Sequence, residues 1–345
     1  MRGKSRLPKV LLTMRLMDDV LEMLRKNGIE LRINPHGRAF TEEELLEEVR
    51  TVDGVILGME KFGSRVIDNA PKLKVVGRNG VGYDNVDVAA ATKRGIYVTY
   101  TPCVLCDAVA DETMGLIICA ARRLPQADAY VKAKKWGVGW PAVFPLGVEV
   151  TGKTLGIVGL GRIGSRVVAR AKGFGVRILY HDTRRTEAMI KLEKEYGLRR
   201  VSLEELLRES DFVTIHVPLD EPGQPPTRGL IGARELSMMK RTAYLINTAR
   251  GPIVDQRALY HALKEGKIAG AALDVFEKEP ISLDDPLLGL DNIILAPHIA
   301  SATIETRHAM AVTVAEDVVR VLKGEQPRNV VNTELLERAR KARAK

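Results

Sequence analysis

Cysteine is scarce in this chain, three residues in 345, too few for the dense cross-linking of a small secreted scaffold and suggestive of a reducing compartment. Cys103 and Cys106 form a Cys-x-x-Cys just ahead of a helical pattern, where a helix N-terminus stabilises a thiolate. A zinc site needs two more ligands, and the sequence offers neither a second such pair nor a nearby histidine, so structural or incidental thiols are expected and no metal. The sequence has no apolar run near 18 residues, and its N-terminus lacks the charged, apolar, small-residue order of a secretory leader. The expectation is a cytoplasmic protein with no membrane partner. No DNA-reading motif is visible either, although the net charge is +9, from 53 basic and 44 acidic residues. Much of that excess lies at the ends, in Arg2, Lys4, Arg6 and Lys9 and in Arg338, Arg340, Lys341, Arg343 and Lys345, where such runs read as solvated tails rather than a nucleic-acid surface. What remains suits small anionic ligands.

The length supports two domains with cores of their own, and 45% hydrophobic with 28% charged residues is an ordinary globular balance. The most informative stretch is Thr154 to Gly164. Leu155 to Val158 reads as a buried strand, Gly159-Leu160-Gly161-Arg162-Ile163-Gly164 follows at once, and Ser165 to Lys172 has helical spacing with Val167, Val168 and Ala171 on one side. Each glycine answers a separate need. Gly159 permits the tight turn, Gly161 lets the backbone approach a pyrophosphate, and Gly164 lets the helix close on the strand. The free N–H groups and positive end of the helix would then face the phosphates. A glycine turn alone is a weak signal. Here a second strand, Arg177 to His181, ends at Asp182, 18 residues past Gly164, where a carboxylate would meet the adenosine ribose hydroxyls.

Strand and helix patterns alternate on both sides of this unit. Val10–Leu12, Val55–Leu57, Leu73–Val76 and Ile96–Thr99 predict strands. Met17 to Lys26, Thr41 to Arg50 (opened by a Thr41/Glu44 capping box) and Val86 to Lys93 predict helices, and the set makes a parallel sheet of its own. Beyond the dinucleotide unit, Phe212–Val217 runs into Pro218, and Ala243–Asn247, Gly270–Leu273 and Ile293–Leu295 supply further strands. Long helical patterns at Asp107–Arg123, stopped by Pro125, and at Thr303–Lys323 flank this second set. Residues 136–147 read as an ordered loop, and the chain beyond Asn332 as a charged, frayed tail. The simplest topology inserts the dinucleotide domain into the first one, with the two long helices as crossings.

Three pieces follow predicted strands. Asn247-Thr248-Ala249-Arg250-Gly251 puts an arginine where open α/β sheets bind ligands, and its guanidinium can grip a carboxylate in two places. Leu273-Asp274-Val275-Phe276-Glu277-Lys278-Glu279-Pro280 is acidic, and Pro297-His298-Ile299 ends a strand on a histidine. Taken singly these read as a surface arginine, a solvated loop and a structural histidine. Taken together they offer more, because a carboxylate beside an imidazole fixes the ring and raises its pKa, making a general acid near neutral pH.

Arg250, Glu279 and His298 in these contexts, with the Gly-x-Gly-Arg-Ile-Gly turn, resemble the D-isomer-specific 2-hydroxyacid dehydrogenases in order and spacing, over roughly residues 8–335. The likeness is greatest to glyoxylate and hydroxypyruvate reductases. It implies an α/β fold of two doubly wound parallel-sheet domains, a Rossmann dinucleotide domain (107–301) inserted into a flavodoxin-like substrate domain (1–106 and 302–345). It also implies a homodimer formed through the dinucleotide domain. By the same likeness Arg250 holds the carboxylate and carbonyl of a 2-keto acid, and Val81 and Gly82, in Asn79-Gly80-Val81-Gly82-Tyr83-Asp84-Asn85, offer N–H groups to the carboxylate. His298, paired with Glu279, is the acid, and the base in the reverse direction. Gly159, Gly161, Arg162, Ile163, Gly164, Asp182 and Pro218 would bind the cofactor, Asp274 would meet the nicotinamide carboxamide, and Thr248 and Ala249 would lie along the ring. Asp182 favours NAD, while Arg184 and Arg185 leave NADP as a secondary cofactor.

Gly77-Arg78 and Asp107–Glu112 look more like phosphoglycerate-dehydrogenase-like members, but no regulatory domain follows residue 335. Phosphite dehydrogenases carry a lysine where this chain has Val81, which argues against phosphite. Corepressor relatives that sense the cofactor are a further alternative. Discrimination among keto acids is expected from residues 57–61, Arg78 and residues 136–145.

Overall fold

The fold is that of a computed structural model, which describes residues 6–137, 145–221 and 223–343. The chain divides into two compact units, one made of Met1–Leu105 with Thr303–Lys345 and the other of Cys106–Ala302, so the second is inserted into the first. Most of the loop expected at 136–147, and the outermost charged residues of both ends, lie outside the described residues.

The first unit alternates strand and helix: β1 (Lys9–Leu12), α1 (Asp18–Lys26), β2 (Glu30–Ile33), α2 (Glu42–Glu48), β3 (Gly54–Leu57), α3 (Ser64–Asp68), β4 (Val75–Arg78), α4 (Val88–Lys93) and β5 (Tyr97–Thr99). All pairings are parallel and the order is β2-β1-β3-β4-β5, the flavodoxin-like arrangement. The capping box expected at Thr41 and Glu44 is present on both sides, but α2 stops at Glu48 and Val49–Thr51 tighten into a 3-10 turn. β4 lies two residues later than Leu73–Val76, since Leu73 packs into the core from the preceding turn and the ladder carries on to Arg78.

The inserted unit begins with α5 (Cys106–Arg122) and α6 (Leu124–Lys132), then runs β6 (Thr154–Val158), α7 (Arg162–Ala171), β7 (Arg177–His181), α8 (Glu187–Tyr196), β8 (Arg199–Arg200), α9 (Leu203–Glu209), β9 (Phe212–Ile215), α10 (Ala233–Met238), β10 (Tyr244–Asn247), α11 (Gln256–Lys264), β11 (Gly270–Leu273) and β12 (Ile293–Leu295). Its parallel sheet has the order β12-β11-β10-β9-β6-β7-β8, a doubly wound sheet whose direction of winding reverses between β6 and β9. Ligands of such sheets bind beyond the strand ends at that reversal. Pro125 does not stop α5: Arg123, with φ 54°, ends it in the left-handed region, and Pro125 sits in the first turn of α6, where a missing N–H costs nothing.

α12 (Ile304–Leu322) returns to the first unit, capped by Thr303, and buries Ala311, Val314, Ala315 and Val318 against Val10, Leu12, Ile56 and Val75. Past it, Val330 bridges Thr99 antiparallel, and Asn332, only 1% exposed, accepts from the Val98 N–H and donates to the Ile96 carbonyl and Thr92 Oγ1. The segment expected to fray is a helix, α13 (Glu334–Arg343), which Leu335 anchors in the core.

Candidate active site

β6 is buried along its whole length and delivers the chain into the glycine turn. Gly159 has φ +94°, and a Cβ there would meet Val217 Cγ1 at 2.7 Å and the His216 carbonyl oxygen at 2.8 Å, so the turn tolerates only glycine. At Gly164 a Cβ would overlap the Gly159 carbonyl, which is the close helix–strand packing that position needs. At Gly161, the N-cap of α7, nothing lies within 4 Å of the Cβ direction and no side chain caps the helix. The first N–H groups of α7, which include those of Ile163 and Gly164, thus have no side-chain cap, the condition in which a helix N-terminus can receive a phosphate.

Asp182 ends the neighbouring strand, 7% exposed. Its Oδ2 accepts the Leu160 N–H at 2.9 Å and its Oδ1 the Arg184 N–H at 2.9 Å, so the acid ties the glycine turn to the strand end. Each oxygen keeps a lone pair for a ribose hydroxyl. Arg184 Nε stands 3.8 Å from Asp182 Oδ1, and Arg185 is held by Glu193 at 2.8 Å. Arg200 Nη2 donates to the Asp182 carbonyl at 2.9 Å. Across the reversal, Pro218 follows β9, its carbonyl accepting from Thr227 Oγ1 at 2.7 Å. Next to it His216 bonds Thr214 Oγ1 through Nε2 at 3.0 Å, and burial pushes its pKa down to about 3, so it is neutral at physiological pH.

The loops after β10, β11 and β12 carry the other group. Asn247, buried at the end of β10, shapes the arginine turn by accepting from the Ala249 N–H at 3.0 Å and donating to the Arg250 carbonyl at 2.9 Å. Arg250 Nη1 donates to the Ala249 carbonyl at 2.8 Å. Thr113 of α5 gives its hydroxyl proton to the Val109 carbonyl and meets Thr248 Oγ1 at 3.0 Å, so Thr248 is the donor of that pair.

His298 Nδ1 lies 2.7 Å from Glu279 Oε2, and Glu279 Oε1 accepts the Phe276 N–H at 3.0 Å. Burial pushes the Glu279 carboxyl up, but the hydrogen bond and charge of His298, the Phe276 N–H and the charge of Arg250 outweigh it, and the net shift is downward. An ionised carboxylate only accepts, so Nδ1 carries the proton of the pair and Nε2 is left to give or take one. Asp274 is fully buried, its oxygens accepting the Ile299 and Ala300 N–H groups at 2.7 and 2.9 Å, while its carbonyl accepts the His298 N–H at 2.9 Å. It staples the turn on which His298 stands, and burial raises its pKa more than those N–H groups lower it. Arg250, Glu279 and His298 are thus brought together, with Asp274 beneath the histidine.

Sequence reasoning missed Asn247, Thr113 and His216 as supports. A polar residue closing an apolar strand was the available signal for Asn247. Thr113 and His216 gave none, being ordinary in a helix and at a strand end. Val81 and Gly82 lie in the other unit, in the loop after β4. None of the three cysteines is in a disulfide, and Cys106 is the buried first residue of α5. Among the described residues no group of three or more His, Cys, Asp or Glu could hold a metal, and no helix is long and apolar enough to cross a membrane.

A doubly wound sheet with this glycine turn, an acid at the end of its second strand and a histidine–glutamate pair beside an arginine defines an NAD(P)-dependent oxidoreductase. The family model described as "D-isomer specific 2-hydroxyacid dehydrogenase, NAD binding domain" matches residues 114–300. A glyoxylate reductase of Korarchaeum cryptofilum is 50% identical over 330 residues, covering 95% of this chain and 97% of the relative. Among solved structures, the TT0316 protein of Thermus thermophilus superposes with a TM-score of 0.86 at 40% identity, covering 94% of this chain and 99% of that one. An NADPH-dependent glyoxylate/hydroxypyruvate reductase of Sinorhizobium meliloti, in complex with NADP and malonate, gives 0.80 at 34% identity, covering 95% and 97%. The chain belongs to the D-isomer-specific 2-hydroxyacid dehydrogenase family.

Asp182 and its arginines give a testable cofactor preference. Asp182 would repel a 2′-phosphate, and Arg184 and Arg185 already have carboxylate partners within the chain. NAD(H) is expected to be preferred, with residual NADP(H) use. Asp182→Ser, which removes the anion and releases Arg184, should swing the kcat/KM ratio toward NADP(H) by about 10- to 100-fold, as a few kcal/mol of repulsion implies. The Leu160 N–H loses its acceptor in the same variant, so its melting temperature should fall. A wild type that already prefers NADPH would show that the arginines win.

Proposed function

We propose that this protein reduces small 2-keto acids, with glyoxylate or hydroxypyruvate as substrate, to D-2-hydroxy acids. The 2.7 Å pairing of His298 with Glu279, with Arg250 acting on the same carboxylate, carries the reading. When bound, the reduced nicotinamide supplies the hydride. Arg250 grips the substrate carboxylate and carbonyl through its planar fork, and the loop of Val81 and Gly82 in the substrate-binding unit offers backbone N–H groups suited to a carboxylate. His298 Nε2 protonates the carbonyl oxygen while Glu279 stabilises the charged ring. Arg162, Ile163 and Asp182 would hold the phosphates and ribose, Pro218 would line the cofactor, Thr248 and Ala249 would support the nicotinamide, and Asp274 would serve its carboxamide. We also place the protein in the cytoplasm as a homodimer. The exposed apolar Leu124, Val131 and Leu146 of the dinucleotide unit support self-association, and sedimentation at varied concentration tests it.

A panel of glyoxylate, hydroxypyruvate, its phosphate ester and pyruvate, run with NADH and NADPH, tests the reading. Preference for the phosphorylated acid would favour a phosphoglycerate-type enzyme, and cofactor binding without turnover a cofactor-sensing protein.

The pH profile tests Glu279. Its carboxyl titrates below the ordinary range, so it is anionic throughout the neutral region. Glu279→Gln removes the anion that favours the charged ring, and the alkaline limb of keto-acid reduction should move to lower pH. An unchanged kcat/KM profile would remove Glu279 from the mechanism.

A further inference from the structure

Arg78 is the last residue of β4 and only 6% exposed, an unusual place for a guanidinium. Its Nη1 donates to the Asn79 carbonyl at 2.6 Å, its Nε to Asn85 Oδ1 at 3.2 Å, and its Nη2 points to Met59 Sδ at 3.4 Å. Asn85 in turn donates to the Gly58 and Glu60 carbonyls at 3.1 and 2.8 Å. Thr13 Oγ1 closes the network, accepting the Gly58 N–H at 2.8 Å and donating to Glu60 Oε2 at 2.7 Å. Arg78 and Asn85 thereby join the loops after β3 and β4, and Thr13 adds the loop after β1. Gly80 lies against the guanidinium: a Cβ there would stand 2.5 Å from Nη1 and 2.8 Å from Cζ. Its φ is outside the left-handed region, and the three atoms nearest to a side chain there all belong to the guanidinium.

We propose that Arg78 is a positioning residue for the anion-binding loop: its guanidinium is the surface on which residues 79–85 fold, and it sets a fixed positive charge close in the chain to the Val81 and Gly82 N–H groups. The inference deepens the keto-acid reading and rests on it. It also makes Arg78 framework, rather than the holder of an anionic substrate tail, since Nε, Nη1 and Nη2 are all turned to the protein. A buried charge near backbone N–H groups strengthens an anion site, because little solvent screens it.

The test compares Arg78→Met, Arg78→Lys, Gly80→Ala and the double variant Arg78→Met/Gly80→Ala. Glyoxylate KM and kcat, inhibition by oxamate (a non-reducible keto-acid analogue) and NADH affinity are measured for each. Arg78→Met should raise KM and the oxamate inhibition constant by about 10- to 100-fold, the worth of interactions with a charged group, and leave NADH affinity unchanged. Arg78→Lys should recover part of the loss, restoring charge without the three directed bonds. Gly80→Ala should reproduce the rise by displacing the guanidinium, and the double variant should be no worse than Arg78→Met alone. Unchanged KM and oxamate inhibition in both single variants, multiplying effects in the double variant, or an equal loss of NADH affinity would each overturn the proposal. A wild type that reduces no 2-keto acid would overturn the functional reading and this one with it. An active wild type with Arg78→Met at unchanged KM would overturn this one alone.

Discussion

His298→Ala is expected to lower the turnover of keto-acid reduction by about 10²–10⁴-fold, the usual contribution of a positioned general acid. The expectation follows from geometry. Nδ1 is committed to Glu279 at 2.7 Å, and the backbone N–H of His298 to the Asp274 carbonyl at 2.9 Å, so the ring is oriented from two sides before substrate arrives. Because the interaction belongs to the transition state, kcat and kcat/KM should fall together and cofactor affinity should hold. Steady-state kinetics with NADH titration decides it. A loss confined to KM would mean that the histidine binds substrate without transferring a proton.

Arg250→Lys should keep the charge and still lose about 10- to 100-fold in kcat/KM, because an ammonium cannot make two parallel bonds to a carboxylate. Asn247 holds the turn by its bonds to Ala249 and Arg250, so the lysine would start from the same backbone and the loss would report the fork itself. NADH affinity should barely change. Near-normal kinetics would make Arg250 an incidental charge beside Glu279.

The parts of this site that could be read in the sequence are those where one chemical need admits few residues. Only glycine suits the φ +94° of residue 159 and the packing at residue 164, so the dinucleotide turn announced itself. The strands of the inserted unit were legible because a sheet covered on both faces requires continuous apolar runs such as Leu155–Val158. β2 and β8 were not, for an edge strand reading Glu-Leu-Arg-Ile or Arg-Arg carries no such run. α13 was hidden by its charge, since Leu335 and Leu336 are followed by a stretch in which only alanines interrupt Glu337, Arg338, Arg340, Lys341 and Arg343, and this gives no strong apolar stripe. The support beneath the site was hidden for another reason. Asp274 holding Ile299 and Ala300, or Arg78 holding Asn85, depends on which loops the topology brings side by side, and local pattern does not encode that.

The return of the chain through α12 and Asn332 has a consequence for biosynthesis. The sheet of the first unit leaves the ribosome early, and although α1 supplies Val20, Leu21 and Leu24 to the cluster around Val10, Leu12, Ile56 and Val75, the rest of that cover comes from a helix that follows the whole of residues 106–302. At common translation rates that is a wait of roughly 10–40 s, during which the inserted unit has all it needs to fold and its host does not. The nascent N-terminal strands therefore present the apolar surface that α12 will cover while the dinucleotide domain matures. Chaperone capture of stalled chains should accordingly concentrate on the first hundred residues.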